Sequence, residues 1–309
     1  MLKKFIVTTT INKPTRAIRK FDEMKGWSLI VSGDLKTPKD YKLKNGLYLS
    51  PSDQIKISKK LSDLIGWNCI QRRNFSMIMA YRLGADIVAT IDDDNIPLEN
   101  WGNNLLLGKY NNIKCYNVKF DAFDPLSVTN YQNLWHRGFP LQLLSTKNLK
   151  KKFLIKKIKP DIQADFWNGD PDIDAICRMQ FKPECKFENK FFPFYSNKPS
   201  PFNSQNTFIT RKVIKNYFLF PHTGRMDDIW ASYYIYSLGY KVVYSRPSVY
   251  QKRNVHNLIK DMKQEYLGYE NNLDLIKNLK KNPNSIINFL PKKSNEAFIH
   301  YKKIISSLK

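Results

Sequence analysis

The sequence lacks the marks of several protein classes. Its four cysteines form no C-x-x-C pair, no G-x-G-x-x-G or Walker-type loop is present, and no internal repeat is visible. No apolar run approaches the length of a membrane span, and the N-terminal "MLKKFIVTTT" is typical of a first strand and not of a signal peptide. We therefore expect reduced cysteines and a cytoplasmic protein, whose contact with a membrane would be peripheral.

Acidic residues are also few, since 27 Asp and Glu stand against 51 Lys and Arg, which gives a net charge of +24. Such an excess attracts polyanions, such as nucleotide phosphates, nucleic acid or an anionic membrane surface. The alternative is compositional, because lysine far exceeds arginine and Asn and Ile are frequent, as expected from an AT-rich genome. The charge alone therefore leaves nucleic-acid and membrane partners open.

Alternating strand and helix patterns run through the first hundred residues. Short apolar runs at 3–10, 26–34 and 85–92 predict buried strands, and a single helix is expected over 50–66 from its capping residues and apolar spacing. The length of 309 residues and the hydrophobic fraction of 42% are sufficient for one large core or two modest ones. The pattern predicts an α/β fold with a mostly parallel, doubly wound sheet.

Three adjacent aspartates, Asp92, Asp93 and Asp94, follow the strand predicted over 85–92. In doubly wound sheets, ligands bind beyond the carboxyl ends of the strands. Alternate side chains of an extended segment point to the same side, so Asp92 and Asp94 could share one hard divalent ion. The alternative is a cluster that caps a helix over "PLENW". Because the aspartates come directly after a buried strand, we favour the metal.

A second acidic pair, Asp227 and Asp228, opens the helix predicted within "GRMDDIWASYYIYSLG". Both carboxylates would be stabilised by the helix dipole without any catalytic role. The functional alternative is a general base that removes a proton from an acceptor hydroxyl, or a group that orients the acceptor. The pattern alone does not decide between the two.

Three further segments carry residues with two interpretations each. Segment 168–176, with its three aspartates, predicts either a turn with a helix cap or a contact to sugar hydroxyls. Segment 201–210 predicts either a capped loop or hydrogen bonds to a sugar. The basic run "KNLKKKFLIKKIK" at 147–159 predicts either a solvated face over a buried stripe or a contact for an anionic surface or acceptor.

The motifs together resemble the STELLO family of glycosyltransferases. This resemblance rests on "VTTTINKPTRAIRKF", "LIVSGDLKTP", "YLSPSDQ", "TIDDDNIP", "GDPDIDAI", "PFNSQNT" and "DDIWASY". The motif order is also similar to that of the reversibly glycosylated polypeptides, the plant UDP-arabinopyranose mutases, through "IDDDN", "RGFPLQL", "FFPF" and "GRMDDIWASYYIYSLGYKVVY". The combined resemblance covers about residues 4–270.

Both families imply an α/β fold of GT-A type, a Rossmann-like nucleotide-sugar-binding fold with a mostly parallel mixed central sheet. We expect the GT-A-like domain to cover residues 1–255 and a helical C-terminal extension, packed on it, to cover 256–309. The function that the resemblance implies is metal-dependent transfer of a sugar from a nucleotide sugar, with UDP as the expected nucleotide. The expected acceptor is a glycan or a lipid-linked or surface polysaccharide, with a modified nucleic acid as a variant.

The resemblance also implies roles for individual residues. Asp92 and Asp94 would hold Mn²⁺ or Mg²⁺ against the diphosphate, with Asp93 alongside, and Asp228, slightly preferred over Asp227, would assist the incoming hydroxyl. The other expected contacts to the nucleotide sugar are Thr8, Thr9, Asp34, Arg72, Asn203, Gln205 and Asn206. Arg16, Arg19, Arg72 and Arg73 are candidates for stabilising the leaving diphosphate.

Two positions leave alternatives to simple transfer. Arg137 matches the arginine that is glycosylated in the mutases, so a UDP-sugar mutase is one alternative, and a non-catalytic GT-A binding module is another. Where the mutases carry a histidine after the last core strand, this chain has Gln251. His256 lies five residues further on and is the expected substitute as a metal ligand.

Overall fold

The computed structural model describes residues 2–147, 151–252 and 257–308. The strands are β1 Lys4–Thr9, β2 Ser28–Ser32, β3 Leu47–Leu49, β4 Ile87–Ile91, β5 Asn95–Pro97, β6 Asn111–Tyr116, β7 Phe153–Ile158, β8 Ile162–Gly169, β9 Phe194–Ser196, β10 Asn206–Thr210 and β11 Val242–Gln251. The α-helices are α1 Arg16–Asp22, α2 Pro51–Ile57, α3 Lys59–Ile65, α4 Arg73–Arg82, α5 Leu144–Lys147, α6 Ala175–Phe181, α7 Arg211–Ile214, α8 Asp227–Ser237, α9 Leu258–Lys281 and α10 Lys292–Ser307.

The strands form one mixed sheet in the order β3-β2-β1-β4-β10-β8-β11-β9-β6-β7, with β5 paired to β11. Strands β3, β2, β1 and β4 are parallel neighbours, and β8 and β11 form a further parallel pair. Strand β4 is buried at every position, as its continuous apolar run predicts. The predicted α/β fold, with a mostly parallel mixed central sheet and a helical C-terminal region, is confirmed.

The antiparallel strand β10 decides where the polar residues collect. It lies between β4 and β8 and runs opposite to both, so its first residue pairs with the last residue of β4. Segment 201–205, which leads into β10, therefore arrives at the rim where Asp92 begins. The backbone N–H of Asp92 donates to the carbonyl of Gln205 over 3.3 Å, and the side chain of Asn95 donates to the same carbonyl over 2.9 Å.

The helix predicted over 50–66 is wrong in one respect, because the structure contains two helices there. Ser50 and Asp53 form a capping box for α2, which ends at Ile57. Ser58 is extended, with φ −165°, and is the N-cap of α3. Its side chain accepts a hydrogen bond from the backbone N–H of Leu61 in the first turn of that helix. A residue that caps the next helix interrupts the helical ladder even when the apolar spacing continues.

The last two helices pack on the preceding part of the chain. Helix α10 lies against α3 and α4, and α9 lies against α6, α8 and the turn at 224–226. Phe298 of α10 makes ring contacts with Phe218, Phe220 and Tyr234. None of the helices in the described ranges is both long and apolar enough to span a membrane.

The basic run at 147–159 lies partly outside the described residues, which omit 148–150. Its later part forms β7, at the edge of the sheet, and Phe153, Leu154 and Ile155 are exposed there. The interpretation of a solvated face over a buried stripe is therefore wrong for β7. Apolar spacing alone could not show this, because burial at a sheet edge depends on which segment covers the strand.

Candidate active site

A cleft of about 460 Å³ lies at the rim formed by the carboxyl ends of β4 and β11 and by the start of α8. Its walls are formed by Cys69, Ile70, Gln71, Asp92, Asp94, Arg137, Gln205, His222, Gly224, Arg225, Asp227, Asp228, Gln251 and Gln264. Both predicted acidic pairs thus meet in one cavity, although 133 positions separate Asp94 from Asp227 in the sequence.

A second cavity of about 300 Å³ lies beside the carboxyl end of β1. It is lined by Thr9, Thr10, Ile11, Asn12, Asn68, Cys69, Ile70, Arg73, Asp92, Asp93 and Asp94. The two cavities share four lining residues, namely Cys69, Ile70, Asp92 and Asp94. The aspartate segment therefore forms the wall common to both.

Arg73 fixes the first aspartate of this wall. Its Nη2 lies 2.5 Å from Oδ1 of Asp92, and its Nη1 donates to the carbonyl and hydroxyl of Ser204 over 2.7 and 2.8 Å. The guanidinium is buried at the start of α4, so the ion pair is shielded from salt. A single cation thus joins the aspartate segment to the segment that precedes β10.

Asp93 anchors the loop that follows β1. Its Oδ2 accepts from the hydroxyl of Thr10 over 2.5 Å and from the amide of Asn12 over 3.2 Å, while its backbone carbonyl accepts from Thr15. Thr15 is also the N-cap of α1. Asp93 therefore shapes the smaller cavity through the loop as well as lining it.

The second acidic pair is part of a buried network around Arg137. The guanidinium donates to both oxygens of Asp172 over 2.9 Å and to both oxygens of Asp228 over 3.1 and 3.3 Å. Asp228 also accepts from the backbone N–H and the hydroxyl of Ser204 over 2.8 and 3.1 Å. Asn203 donates to Asp172 over 2.8 Å. One cation and several donors thus offset two buried carboxylates.

Asp227 has a different environment from Asp228. Its Oδ2 accepts a hydrogen bond from the side chain of Gln71 over 2.8 Å. Burial, and then the neighbouring charge of Asp228, raise the pKa of Asp227 to about 7, although Arg137 acts in the opposite direction. A carboxyl with a pKa near neutrality can both accept and release a proton at physiological pH.

Three residues predicted to bind the nucleotide sugar lie away from both cavities. Thr8 donates from its hydroxyl to the carbonyl of Ile91 over 2.8 Å, which ties β1 to β4. Asn206 accepts from the indole of Trp101 and donates to the hydroxyl of Ser248, both over 2.9 Å. These contacts of Thr8 and Asn206 are made within the protein and leave neither side chain directed at a cavity. Asp34 is buried, and its carboxylate accepts hydrogen bonds from the backbone N–H groups of Leu35, Asn68 and Cys69.

Arg72 also lies outside the two cavities. Its guanidinium is stacked on the ring of Trp67 at 3.6 Å, and its Nε donates to Gln54 over 2.8 Å. The next residue, Arg73, lies in the site instead, because successive residues at the start of a helix point in directions about 100° apart. Arg16 and Arg19 of α1 line neither cavity.

Asn203 and the segment 168–176 support the site from behind. Asn203 is buried and contacts Asp172, as described above, and its Oδ1 accepts from the backbone of Gln205 over 3.1 Å. Asp174 caps α6 through the N–H of Cys177, and Asp170 pairs with Arg178. The helix cap predicted for this segment is present at Asp174, whereas Asp172 belongs to the Arg137 network.

No pattern in the sequence indicated several of the residues that line the larger cavity. Gln71, His222, Arg225 and Gln264 are single polar residues on a loop or a helix, and only the fold brings them together. Gln264 comes from α9, so the C-terminal helical region contributes directly to the wall.

The residues at the shared wall fit a hard divalent cation. Asp92 and Asp94 offer carboxylate oxygens, and Gln251 of β11, which pairs in register with Asn95, offers an amide oxygen in the same cavity. In the part of the chain that the structure describes, no three His, Cys, Asp or Glu side chains are grouped to hold a metal. The predicted ligand His256 lies outside the described residues. Mg²⁺ and Mn²⁺ commonly take one or two carboxylates and complete their shell with water and substrate phosphates.

Curated proteins with detectable sequence similarity come from Arabidopsis thaliana. "Probable glycosyltransferase STELLO2" is 24% identical over 190 residues, which cover 56% of this chain. "Probable glycosyltransferase STELLO1" is 23% identical over 228 residues, which cover 66% of this chain. This chain is similar to the STELLO proteins. The resemblance to the STELLO family predicted from the motifs is thereby confirmed. No family model matches the chain.

The matched regions span 24% and 29% of the two STELLO proteins, so the chain covers less than a third of their length. Among solved structures, glucosyl-3-phosphoglycerate synthase from Mycobacterium tuberculosis, in complex with phosphoglyceric acid, aligns with a TM-score of 0.46 and 12% identity. The alignment covers 89% of this chain and 80% of the synthase.

Proposed function

We propose that the protein is a glycosyltransferase that moves a sugar from a nucleotide sugar to an acceptor hydroxyl, with UDP as the nucleotide. The observation that carries the proposal is the pair of adjoining cavities, which share the wall of Asp92 and Asp94. A nucleotide sugar has two parts joined by a diphosphate. We assign the nucleotide to the smaller cavity and the sugar and acceptor to the larger one. The similarity to the STELLO proteins supports the same reaction class.

The polar residues of the smaller cavity suit a nucleotide. Thr9, Thr10 and Asn12 present hydroxyl and amide groups at the carboxyl end of β1, where doubly wound sheets bind ligands. Asp93 holds Thr10 and Asn12 in place through the hydrogen bonds described above. We expect these residues to determine the orientation of the nucleotide before transfer.

The shared wall suits the diphosphate. Asp92 and Asp94 would hold Mn²⁺ or Mg²⁺ there, and a bound divalent ion would supply charge neutralisation for the leaving diphosphate. Arg73 fixes the position of Asp92, because its guanidinium lies 2.5 Å from Oδ1 of Asp92. The protein's own contribution at this wall is therefore the position of the two carboxylates.

We assign proton removal from the acceptor to Asp227 and not to Asp228, which the sequence slightly favoured. Asp228 accepts four hydrogen bonds, from Arg137 and Ser204, so both of its oxygens are already engaged within the protein. Asp227 lines the larger cavity, and burial raises its pKa to about 7. A base of that pKa is suited to operate near neutral pH.

A glycan or a lipid-linked polysaccharide is the acceptor class that the larger cavity suits. His222, Arg225 and Gln264 line it with groups that can hydrogen-bond to hydroxyls. A volume of about 460 Å³ lies within the usual range of ligand pockets, about 300–1,000 Å³, and leaves room for a sugar with part of an acceptor. A modified nucleic acid would have to present its hydroxyl in the same cavity.

The contacts of Arg137 do not favour the mutase alternative. A glycosylated arginine must offer a nitrogen lone pair, but the guanidinium donates to Asp172, to Asp228 and to the carbonyl of Arg225. The two carboxylates, acting against burial, raise the pKa of Arg137 well above its usual value. We therefore assign to Arg137 the positioning of Asp228.

The test uses a panel of nucleotide sugars with Mn²⁺ or with a chelator, read by thermal shift and by release of the nucleoside diphosphate. A donor that binds the folded protein raises the melting temperature by mass action. Asp94→Asn should reduce metal-dependent turnover at least about 100-fold without unfolding the protein. The matched control is Asp63→Asn, since Asp63 is exposed on α3 and pairs only with Lys59 among the described ion pairs.

Three results would contradict the proposal in different ways. Unchanged turnover in Asp94→Asn would remove the assigned metal site. Interconversion of the sugar nucleotide in acceptor-free buffer would indicate a mutase. Binding of a donor without turnover across all acceptors tested would indicate a non-catalytic binding module.

A further inference from the structure

An uncovered strand lies at the end of the sheet farthest from β3. Strand β7 is last in the sheet order and pairs with β6. The exposed fractions of Phe153, Leu154 and Ile155 are 45%, 66% and 59%. Successive side chains of a strand point to opposite faces. Apolar groups therefore face water on both sides of β7.

The charged residues of β7 and of its neighbour β6 are all lysines. Lys152, Lys156, Lys157 and Lys159 are exposed in and around β7, and Lys114 of β6 lies with its Nζ 5.7 Å from the ring centre of Phe153. Neither strand contains an aspartate or glutamate. We call the two strands, 111–116 and 153–158, the edge ribbon. It combines adjacent exposed apolar residues with an entirely positive charge.

Neither folding nor self-association explains this combination. Exposed apolar side chains gain little from folding, and consecutive ones on an edge strand favour aggregation unless another surface covers them. A second copy of the chain is a poor candidate for that surface, because both copies would bring only positively charged side chains from β6 and β7 to the interface. The surface that covers the ribbon should therefore be negatively charged.

We propose that the edge ribbon binds the surface of an anionic lipid bilayer. Phe153, Leu154 and Ile155 enter the headgroup region, and the lysines contact lipid phosphates. Basic residues next to exposed apolar groups are the composition that binds anionic membrane interfaces. The headgroup region contains water, so the free backbone groups of β7 keep hydrogen-bond partners there. Nucleic acid would engage the lysines but would give the aliphatic Leu154 and Ile155 no favourable contact.

The proposal does not rest on the proposed transferase reaction. The ribbon lies outside both cavities of the candidate active site, and none of its residues lines either of them. Membrane binding can therefore be measured with no donor or acceptor present, and its failure would leave the glycosyltransferase proposal untouched.

The test is co-sedimentation of the full chain with vesicles of phosphatidylcholine alone or with about 30% phosphatidylserine. We expect binding to the anionic vesicles and little to the neutral ones. The double variant Leu154→Gln with Ile155→Gln should bind about tenfold more weakly, because it removes apolar contact without changing charge. The matched control, Ile259→Gln with Tyr266→Gln, changes α9 residues that are similarly exposed, 53% and 58%, and should bind like the unchanged protein.

A charge variant separates the two components of binding. Lys156→Glu with Lys157→Glu should also weaken binding to anionic vesicles. Added salt should weaken binding of the unchanged protein too, and so reduce the difference in affinity between it and this variant. Absence of binding to anionic vesicles would overturn the proposal, as would unchanged binding in the Leu154/Ile155 double variant. Retention on DNA with no vesicle binding would assign the basic charge to nucleic acid and would also overturn it.

Discussion

Arg137 and Asp172 form a bidentate ion pair, with Nε–Oδ1 and Nη2–Oδ2 distances of 2.9 Å. The same guanidinium reaches Asp228, so one side chain joins the segment before α6 to the first turn of α8. Both carboxylates and the arginine are buried. The position of Asp228 in the cleft therefore depends on Arg137.

Arg137→Leu should destabilise the protein by about 3–5 kcal/mol, because it leaves two buried carboxylates without their cation. Arg137→Lys should lose less, since it keeps the charge but not the bidentate geometry. Urea denaturation measures both changes. Lys59→Leu, which breaks the exposed pair with Asp63, is the control and should have no measurable effect. Equal stability of Arg137→Leu and the unchanged protein would contradict the role assigned to Arg137.

Asp227→Asn should reduce kcat/KM at least about 100-fold and change its pH dependence. The base must be ionised to accept a proton, and the pKa of Asp227 is raised to about 7. In the unchanged protein, kcat/KM should therefore rise with pH and level off above about pH 8. The variant should lose that rise. A pH profile that keeps its acidic limb in the variant would assign the proton transfer to another group.

Asp165 gives a prediction for stability that is independent of catalysis. It lies on β8, outside the two cavities of the site, and burial raises its pKa to about 7. Between the unfolded value near 4 and about 7, the folded state binds more protons, so the free energy of unfolding falls as pH rises through this window. Asp165→Asn should remove that part of the fall, which is at most about 4 kcal/mol.

The measurement for Asp165 is urea denaturation of both proteins at pH 5 and pH 8. The variant should gain stability relative to the unchanged protein on going to pH 8. Part of the slope should remain, because burial also raises the pKa of Asp124 to about 6 and that of Asp174 to about 7. Identical pH slopes in the two proteins would refute the assignment.

Gly224 is the point where α9 approaches the loop that carries the acidic pair. Its φ is +60°, and a Cβ added there would lie 2.3 Å from the carbonyl oxygen of Gln264. Gly108 has a similar φ of +71°, but an added Cβ would meet nothing within 4 Å. Gly108→Ala should therefore show the backbone strain alone, about 1–2 kcal/mol. Gly224→Ala should show the same strain plus a clash of about 1–3 kcal/mol.

The comparison of the two glycine variants also tests whether α9 belongs to the cleft. Gln264 and Gly224 both line the larger cavity, so Gly224→Ala should lower turnover as well as stability. Gly108→Ala should leave turnover unchanged. If both variants behaved alike in denaturation and in turnover, α9 would have no role in shaping the site.

Sequence patterns predicted which acidic residues lie at the rim of the sheet better than they predicted which side chains pair with one another there. Asp92 and Asp94 could be placed at the rim because a buried strand ends directly before them, and strand ends meet at one edge of a parallel sheet. The family resemblance then placed Asp227 and Asp228 beside them. Both placements depend on local pattern or on motif order, which a single sequence carries.

The remaining features depend on contacts between distant segments. Arg137 is 35 positions from Asp172 and 91 from Asp228, and no local pattern relates them. Arg72 and Arg73 are indistinguishable in sequence, yet one packs on Trp67 and the other pairs with Asp92. Which of the two side chains faces the site depends on how the first turn of α4 is oriented against the sheet. Sequence patterns do not determine that orientation.

The most direct measurement is a crystal structure of the protein with Mn²⁺ and UDP. We predict that the ion lies between the diphosphate and the carboxylates of Asp92 and Asp94, with the nucleoside in the cavity lined by Thr9, Thr10 and Asn12. An ion bound elsewhere, or UDP in a site that does not touch the Asp92–Asp94 wall, would contradict it.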